Sequence, residues 1–122
     1  MTAQSTARAV VIGGASGIGA AVVDPLLARG RRVTVFGLAQ NERTEVETTA
    51  VALRDEANVE AAWALGPVTG LVACHGIRGA FVSALEMELD RLRRLYDVHV
   101  TGTLAVSRAM VRRLDSAPAS NA

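Results

Sequence analysis

The sequence predicts an α/β fold, the first part of a doubly wound parallel sheet with four strands in the order 3-2-1-4. Three observations carry the prediction. An apolar run, Ala9-Val10-Val11-Ile12, feeds a glycine-rich turn, Gly13 to Gly19, that opens directly into a helical pattern. Three more short runs, Arg32–Phe36, Val46–Leu53 and Val68–Cys74, carry the β-branched or continuous apolar signature of strands, and helical patterns are interleaved with them. In such a sheet the ligand crevice lies beyond the strand ends, between the first and fourth strands.

Taken in order, Met1 to Thr6 is polar and expected to fray, and the first strand spans Arg8 to Ile12. The first helix is expected from Ser16 or Gly17 to about Arg29, closed by Gly30, with arginine in its last turn. Pro25 interrupts it and predicts a kink or a weakened second half. The second strand alternates through Arg32–Phe36 and ends at Gly37, and a polar loop runs from Ala39 to Glu45. The third strand, Val46–Leu53, follows so closely that a parallel pairing leaves room only for a short loop or a single turn. Asp55 is placed to cap a helix over Glu56–Leu65, ended by Gly66-Pro67, with Trp63 packed on the sheet. The fourth strand, Val68–Cys74, is apolar enough to be buried, and a loop covers Ile77 to Leu85. Leu89, Leu92, Tyr96, His99, Thr103, Val106 and Met110 recur at three and four, which predicts one apolar face on a helix from Glu88 to Leu114. Acids at its start, Glu88 and Asp90, and Arg108, Arg112 and Arg113 near its end suit the helix dipole.

At 122 residues, half of them hydrophobic and a fifth charged, the chain reads as one domain over residues 1–115 with a flexible tail at 116–122. A formal charge of +1, with every cation an arginine, gives no basic excess that would recommend a nucleic-acid partner. No run approaches the roughly 20 apolar residues that span a bilayer, so no membrane association is expected. The single cysteine, Cys74, forms no internal disulfide and fits a reducing, cytoplasmic location. His75, His99 and Cys74 lack the spacing and the fourth donor of a metal site, and no metal is expected.

The chemistry of the chain concentrates in Gly13 to Gly19. A strand that ends in glycine turns sharply, and the next glycines leave no side chains between the turn and whatever approaches it. The free N–H groups at the start of the following helix, with the helix dipole behind them, suit an anion such as a pyrophosphate. A phosphate loop of the Walker type would need a lysine after its last glycine, where this chain has Ala20 and where no lysine exists anywhere.

In these features, Gly13-x-x-x-Gly17-Ile18-Gly19 after a strand resembles the cofactor loop of the short-chain dehydrogenase/reductase family, whose sheet is Rossmann-like. Leu53-Arg54-Asp55-Glu56-Ala57-Asn58-Val59 resembles the family's segment after its third strand. Leu71-Val72-Ala73-Cys74-His75-Gly76 stands where its Asn-Asn-Ala-Gly motif sits, and Tyr96-Asp97-Val98-His99-Val100-Thr101-Gly102-Thr103 resembles its long-helix motif. The likeness spans about Ala7 to Leu114. It implies an NAD(P)-dependent oxidoreductase, with the dinucleotide touching Gly13, Ala15, Ser16, Gly17, Ile18 and Gly19 in the turn. Gly37 and Leu38 after the second strand, Leu53 after the third, and Cys74, His75 and Gly76 after the fourth complete the implied set.

Departures from the family pattern are equally specific. Gly37 stands where an acid commonly binds the ribose of NAD, so the choice between NAD and NADP stays open. Arg43 reads either as a partner for a 2′-phosphate or, more plainly, as a solvated loop arginine. Ala52 replaces the acid that touches adenine, and His99 replaces an asparagine of the catalytic group; on an apolar helix face it reads as a hydrogen-bonded core histidine. Family chemistry needs a tyrosine with a lysine four residues on. Tyr96, the one tyrosine, is followed at that spacing by Val100, so no catalytic residue is assigned and the chain alone is expected to be inactive. Three readings follow: the cofactor-binding half of an oxidoreductase, a catalytically silent module that binds or senses NAD(P) or is the partner subunit of a full-length relative, and a remnant that binds nothing. An open edge on the fourth strand further predicts self-association.

Overall fold

A computed structural model describes residues 8–38, 43–65, 68–77 and 81–116. Its elements are β1 (Arg8–Ile12), α1 (Gly17–Ala28), β2 (Arg32–Gly37), β3 (Glu47–Ala50), α2 (Glu56–Ala62), β4 (Val68–Ala73), α3 (Leu89–Tyr96), a π-helical turn (Asp97–Thr101) and α4 (Gly102–Ser116). The four strands form one parallel sheet in the order β3-β2-β1-β4, as the alternation of strands and helices predicts.

β1 is buried along its whole length because it has a neighbour on either side and helices on both faces. On one face Val10, Ile12 and Phe36 pack with Val59, Trp63, Val106 and Ala109 from α2 and α4. On the other, Val11, Val33 and Val35 meet Val23 of α1. Trp63 is 1% exposed and meets Phe36 edge to face, ring centroids 5.3 Å apart and planes at 73°. The sheet packing expected of Trp63 is therefore what the fold shows.

At the amino ends of the strands a buried arginine organises the polar contacts. Arg8, 6% exposed, donates to the Leu65 carbonyl at 2.9 Å and lies 3.4 Å from the Glu47 carboxylate, which Arg32 also holds at 2.6 Å. Hydrogen bonding from Arg32 holds the Glu47 carboxyl below the usual carboxylate range. This cluster joins β1, β2 and β3 at the end of the sheet opposite the crevice.

Several boundaries differ from expectation. Between β2 and β3 only residues 38–46 remain, and the pairing is parallel, with no helix among the described residues of the connection; residues 39–42 lie outside the described residues. β3 is shorter than Val46–Leu53, because Ala52 N–H is captured at 2.6 Å by Asn58 Oδ1 and the chain turns there. α1 continues through Pro25 to Ala28; Arg29 is its C-cap rather than part of its last turn, and Gly30 follows at φ 75°. Asp55 caps α2 by accepting from Asn58 N at 3.1 Å, but the helix stops at Ala62 rather than Leu65, with Trp63 as its C-cap. The Gly66-Pro67 stop lies outside the described residues. β4 ends at Ala73 and is only partly buried, because β1 is its one strand neighbour among the described residues.

The largest correction concerns the expected long helix. Its axis is carried through a π-helical turn, which inserts an extra residue and rotates the two halves relative to a uniform 3.6-residue pattern. The buried face of α4 is Ala105, Val106 and Ala109, whereas Leu89, Leu92 and Tyr96 of α3 are 63, 42 and 60% exposed. α4 runs to Ser116, two residues further than expected; residues 117–122 lie outside the described residues. Arg108 and Arg112 do not simply face the end of the helix. They pair with Glu56 and Glu60 of α2, tying the two helices together.

Candidate functional site

The carboxyl ends of β1, β2 and β4 converge on the turn into α1. Gly13 N donates to the Phe36 carbonyl at 2.9 Å and Cys74 N donates to the Ile12 carbonyl at 2.9 Å, so β1 is gripped from both sides where it ends. Gly13 (φ 77°) and Gly17 (φ 57°) take backbone angles that side-chain-bearing residues avoid. At Gly19 the requirement is proximity: a Cβ there would lie 2.1 Å from the Gly13 carbonyl oxygen. α1 therefore begins directly against the turn, and around Gly17 no atom lies within 4 Å of where a Cβ would stand. Ser16 is extended and serves as N-cap without a side-chain hydrogen bond, so its hydroxyl does not occupy the first N–H groups of the helix.

Above this turn lies a cavity of about 890 Å³, within the size range of small-molecule sites. Of the residues expected at a dinucleotide, Gly13, Ser16, Gly17, Ile18, Gly37, Leu38, Leu53, Cys74, His75 and Gly76 all line it. Ala15 and Gly19 do not: Gly19 is buried beneath the turn and acts by allowing the close approach, and Ala15 is within the turn itself. Sequence reasoning missed Ile12, Phe36, Val51, Arg54, Ile77 and Val98 as lining residues, and noted Ala52 only as a substitution. Ile12 and Phe36 were legible as the last apolar residues before strand-ending glycines. Val98 carried no such signal, because its position depends on the π-helical turn.

Two histidines connect the cavity wall to that turn. His75 Nε2 lies 2.9 Å from Thr103 Oγ1, which itself donates to the His99 carbonyl at 2.6 Å, so the His75 ring nitrogen is the donor to Thr103. His75 Nδ1 is buried and has no hydrogen-bond partner. Burial lowers the His75 pKa below 6.5, with the charge of His99 adding to the effect and the Val98 backbone opposing it. Its contribution to stability is therefore fully present above the unfolded value of 6.5 and is lost as pH falls through and below it. Urea midpoints taken between about pH 7.5 and 5.5 are expected to fall for the wild type, and to fall less for His75→Gln.

His99 is hydrogen-bonded as expected but is not a core residue. Its exposed ring places Nε2 2.9 Å from the Ile77 carbonyl and 3.1 Å from Ile77 N, and covers Gly76, where a Cβ would lie 2.7 Å from His99 Cε1. Cys74 is half-buried at the cavity rather than enclosed. Arg43 does not line the cavity: its partly exposed side chain pairs with Asp24 of α1 at 2.6 Å. Arg54, by contrast, lines the cavity and reaches Asp97 of the π-helical turn at 3.1 Å. No carboxylate is among the described residues that line the cavity. Among the described residues no group of three or more His, Cys, Asp or Glu is placed to hold a metal ion, and no helix is long and apolar enough to cross a membrane.

A parallel sheet in this order, with a glycine turn and helix N-terminus facing a crevice, defines the class of dinucleotide-binding α/β proteins. The chain belongs to the short chain dehydrogenase family, whose sequence model matches residues 7–121. It is 33% identical over 115 residues to 2-dehydro-3-deoxy-L-rhamnonate dehydrogenase (NAD(+)) of Sphingomonas sp. (strain SKA58), covering 84% of this chain and 46% of that protein. Its fold is similar to ligand-free Thermoplasma acidophilum aldohexose dehydrogenase, with a TM-score of 0.80 at 20% identity over 87% of this chain and 43% of that one. It is also similar to a short chain dehydrogenase from Leptospira borgpetersenii with bound NAD+, with a TM-score of 0.77 at 18% identity over 88% of this chain and 45% of that one. The chain thus spans about half the length of the relatives it matches.

Proposed function

We propose that this chain binds a nicotinamide dinucleotide in the cavity at the carboxyl ends of β1, β2 and β4, as the cofactor-binding part of an NAD(P)-dependent oxidoreductase. The observation that carries the reading is the cradle at the start of α1. Close backbone approach at Gly19, open space above Gly17 and unpartnered N–H groups at a helix start suit a pyrophosphate. Gly13, Ser16, Gly17 and Ile18 hold that group. Phe36, Gly37, Leu38 and Leu53 flank one end of the dinucleotide, and Cys74, His75 and Gly76 flank the other. Gly19 and Ala15 shape the turn without lining the cavity.

Bound nicotinamide would supply the hydride acceptor or donor of the family's chemistry. The residues of this chain bind and orient it, and the mainly apolar wall formed by Ile12, Phe36, Val51, Ile77 and Val98 excludes water from it. A specific observation favours a second reading, a catalytically silent binding or sensing module that acts with a full-length relative. Tyr96 is 60% exposed on α3 and does not line the cavity, and no lysine is present to accompany it. Under both readings the domain is residues 1–115, in a reducing, cytoplasmic setting.

The test is a thermal melt of the protein with NAD+, NADP+ and their reduced forms, beside Gly17→Val. A ligand that binds only the folded state raises the midpoint, by about 2.7 kcal/mol of stabilisation at a hundredfold excess over Kd. A rise with wild type that is absent from Gly17→Val is the expected result. A cooperative melt that no dinucleotide moves rejects the binding reading.

A further inference from the structure

The cavity's polar character is uneven, and the unevenness discriminates between the two forms of the cofactor. NAD and NADP differ at one place, the adenosine 2′ position, which carries a hydroxyl in one and a phosphate dianion in the other. A 2′-hydroxyl is best held by a carboxylate at the end of the second strand, and a 2′-phosphate by an arginine nearby. Here β2 ends in Gly37, where no atom lies within 4 Å of a would-be Cβ, so the space an acid would fill is open. The end of β3 lies directly beside it, since Gly37 is in register with Ala50 and Val51 N donates to the Gly37 carbonyl at 3.2 Å. Three residues beyond Val51, Arg54 enters the same cavity and is the one arginine among its described lining residues.

Resting on the dinucleotide reading above, we infer that the cavity selects the 2′-phosphorylated cofactor, with Arg54 as the selecting residue. The guanidinium is fully charged at any working pH and offers a planar fork of donors that matches phosphate oxygens. It is also available. Its partner in the structure is Asp97, and with the two side chains 54 and 45% exposed this ion pair is screened by water and readily exchanged for a doubly charged phosphate. Arg43, in the connection between β2 and β3, is held against α1 by Asp24 and is not among the residues that line the cavity.

Dissociation constants of NADP+ and NAD+ measured by calorimetry at fixed ionic strength test the inference. NADP+ is expected to bind at least about tenfold more tightly. Arg54→Ala is expected to bring the two constants together, and Arg54→Gln, which keeps a polar side chain without the charge, to do the same. Gly37→Asp, whose side chain has room in the open space, is expected to reverse the order. Equal or tighter binding of NAD+ by the wild type, or an NADP+ preference unchanged in both Arg54 variants, overturns the assignment and leaves the dinucleotide reading standing. Failure of the wild type to bind either dinucleotide overturns both.

Discussion

Gly19→Ala is expected to destabilise the fold by about 3 kcal/mol, the upper end of the overpacking range, and to abolish dinucleotide binding. The added methyl would lie 2.1 Å from the Gly13 carbonyl oxygen and 2.7 Å from its carbon, and both are backbone atoms. A flexible side chain could swing away, but Gly13 cannot. Its N–H is bonded to Phe36, and the Cys74 carbonyl oxygen stands 2.8 Å from where its own Cβ would be. The helix must therefore withdraw from the turn, which moves the N–H groups that face the crevice. Gly17→Ala makes the informative contrast. It meets no neighbour, so its cost is limited to the left-handed backbone angle, about 1–2 kcal/mol. Denaturant midpoints of the unliganded variants separate the two, and an alanine at position 19 that melts like the wild type would refute the packing of the turn described above.

Trp63→Ala is expected to cost about 3–5 kcal/mol, the range for truncating a buried large aromatic. The ring is 1% exposed and meets Phe36 edge to face, and Phe36 in turn lines the cavity. The core defect therefore reaches the site through a single ring, and weaker cofactor binding is expected alongside the lower midpoint. Trp63→Phe is expected to cost much less, because it removes an indole N–H that is buried without a partner. Unfolding followed by far-UV circular dichroism suits the comparison, since the substitution removes the one tryptophan. Similar losses for the alanine and phenylalanine variants would show that packing around Phe36 is not what Trp63 supplies.

What could be foreseen divides along physical lines. β1, β2, the glycine turn and the Asp55 cap are specified by residues within a few positions of one another, and the structure places them where local chemistry indicates. The order of the strands followed from topology rules that hold for parallel sheets generally. Long-range partners left no trace in the sequence pattern. Arg108 and Arg112 looked like dipole charges and turned out to face Glu56 and Glu60 on α2. The helical period was also assumed constant, so the extra residue at Asp97–Thr101 put Leu89, Leu92 and Tyr96 on a face that α4 does not continue. The same turn carries Val98 to the cavity and His99 to Ile77, which a constant helical period does not foresee. Arg54 was read only as part of a segment resembling the family, and its place in the cavity depends on where β3 ends.

The position of β1 has a consequence for how the molecule is assembled in time. It precedes the other described strands in the chain and has a neighbour on either side, and its partner on one side is distant: Arg8 pairs with Val68, and Ile12 with Ala73. Pairing with β2 closes a modest loop, but pairing with β4 must wait for a contact of much greater sequence separation, the kind that slows folding. A nascent chain that has emerged only as far as α2 has its glycine turn but no second wall, since Cys74, His75 and Gly76 follow β4. The crevice therefore comes into being when β4 pairs, in the same event that covers the second edge of β1.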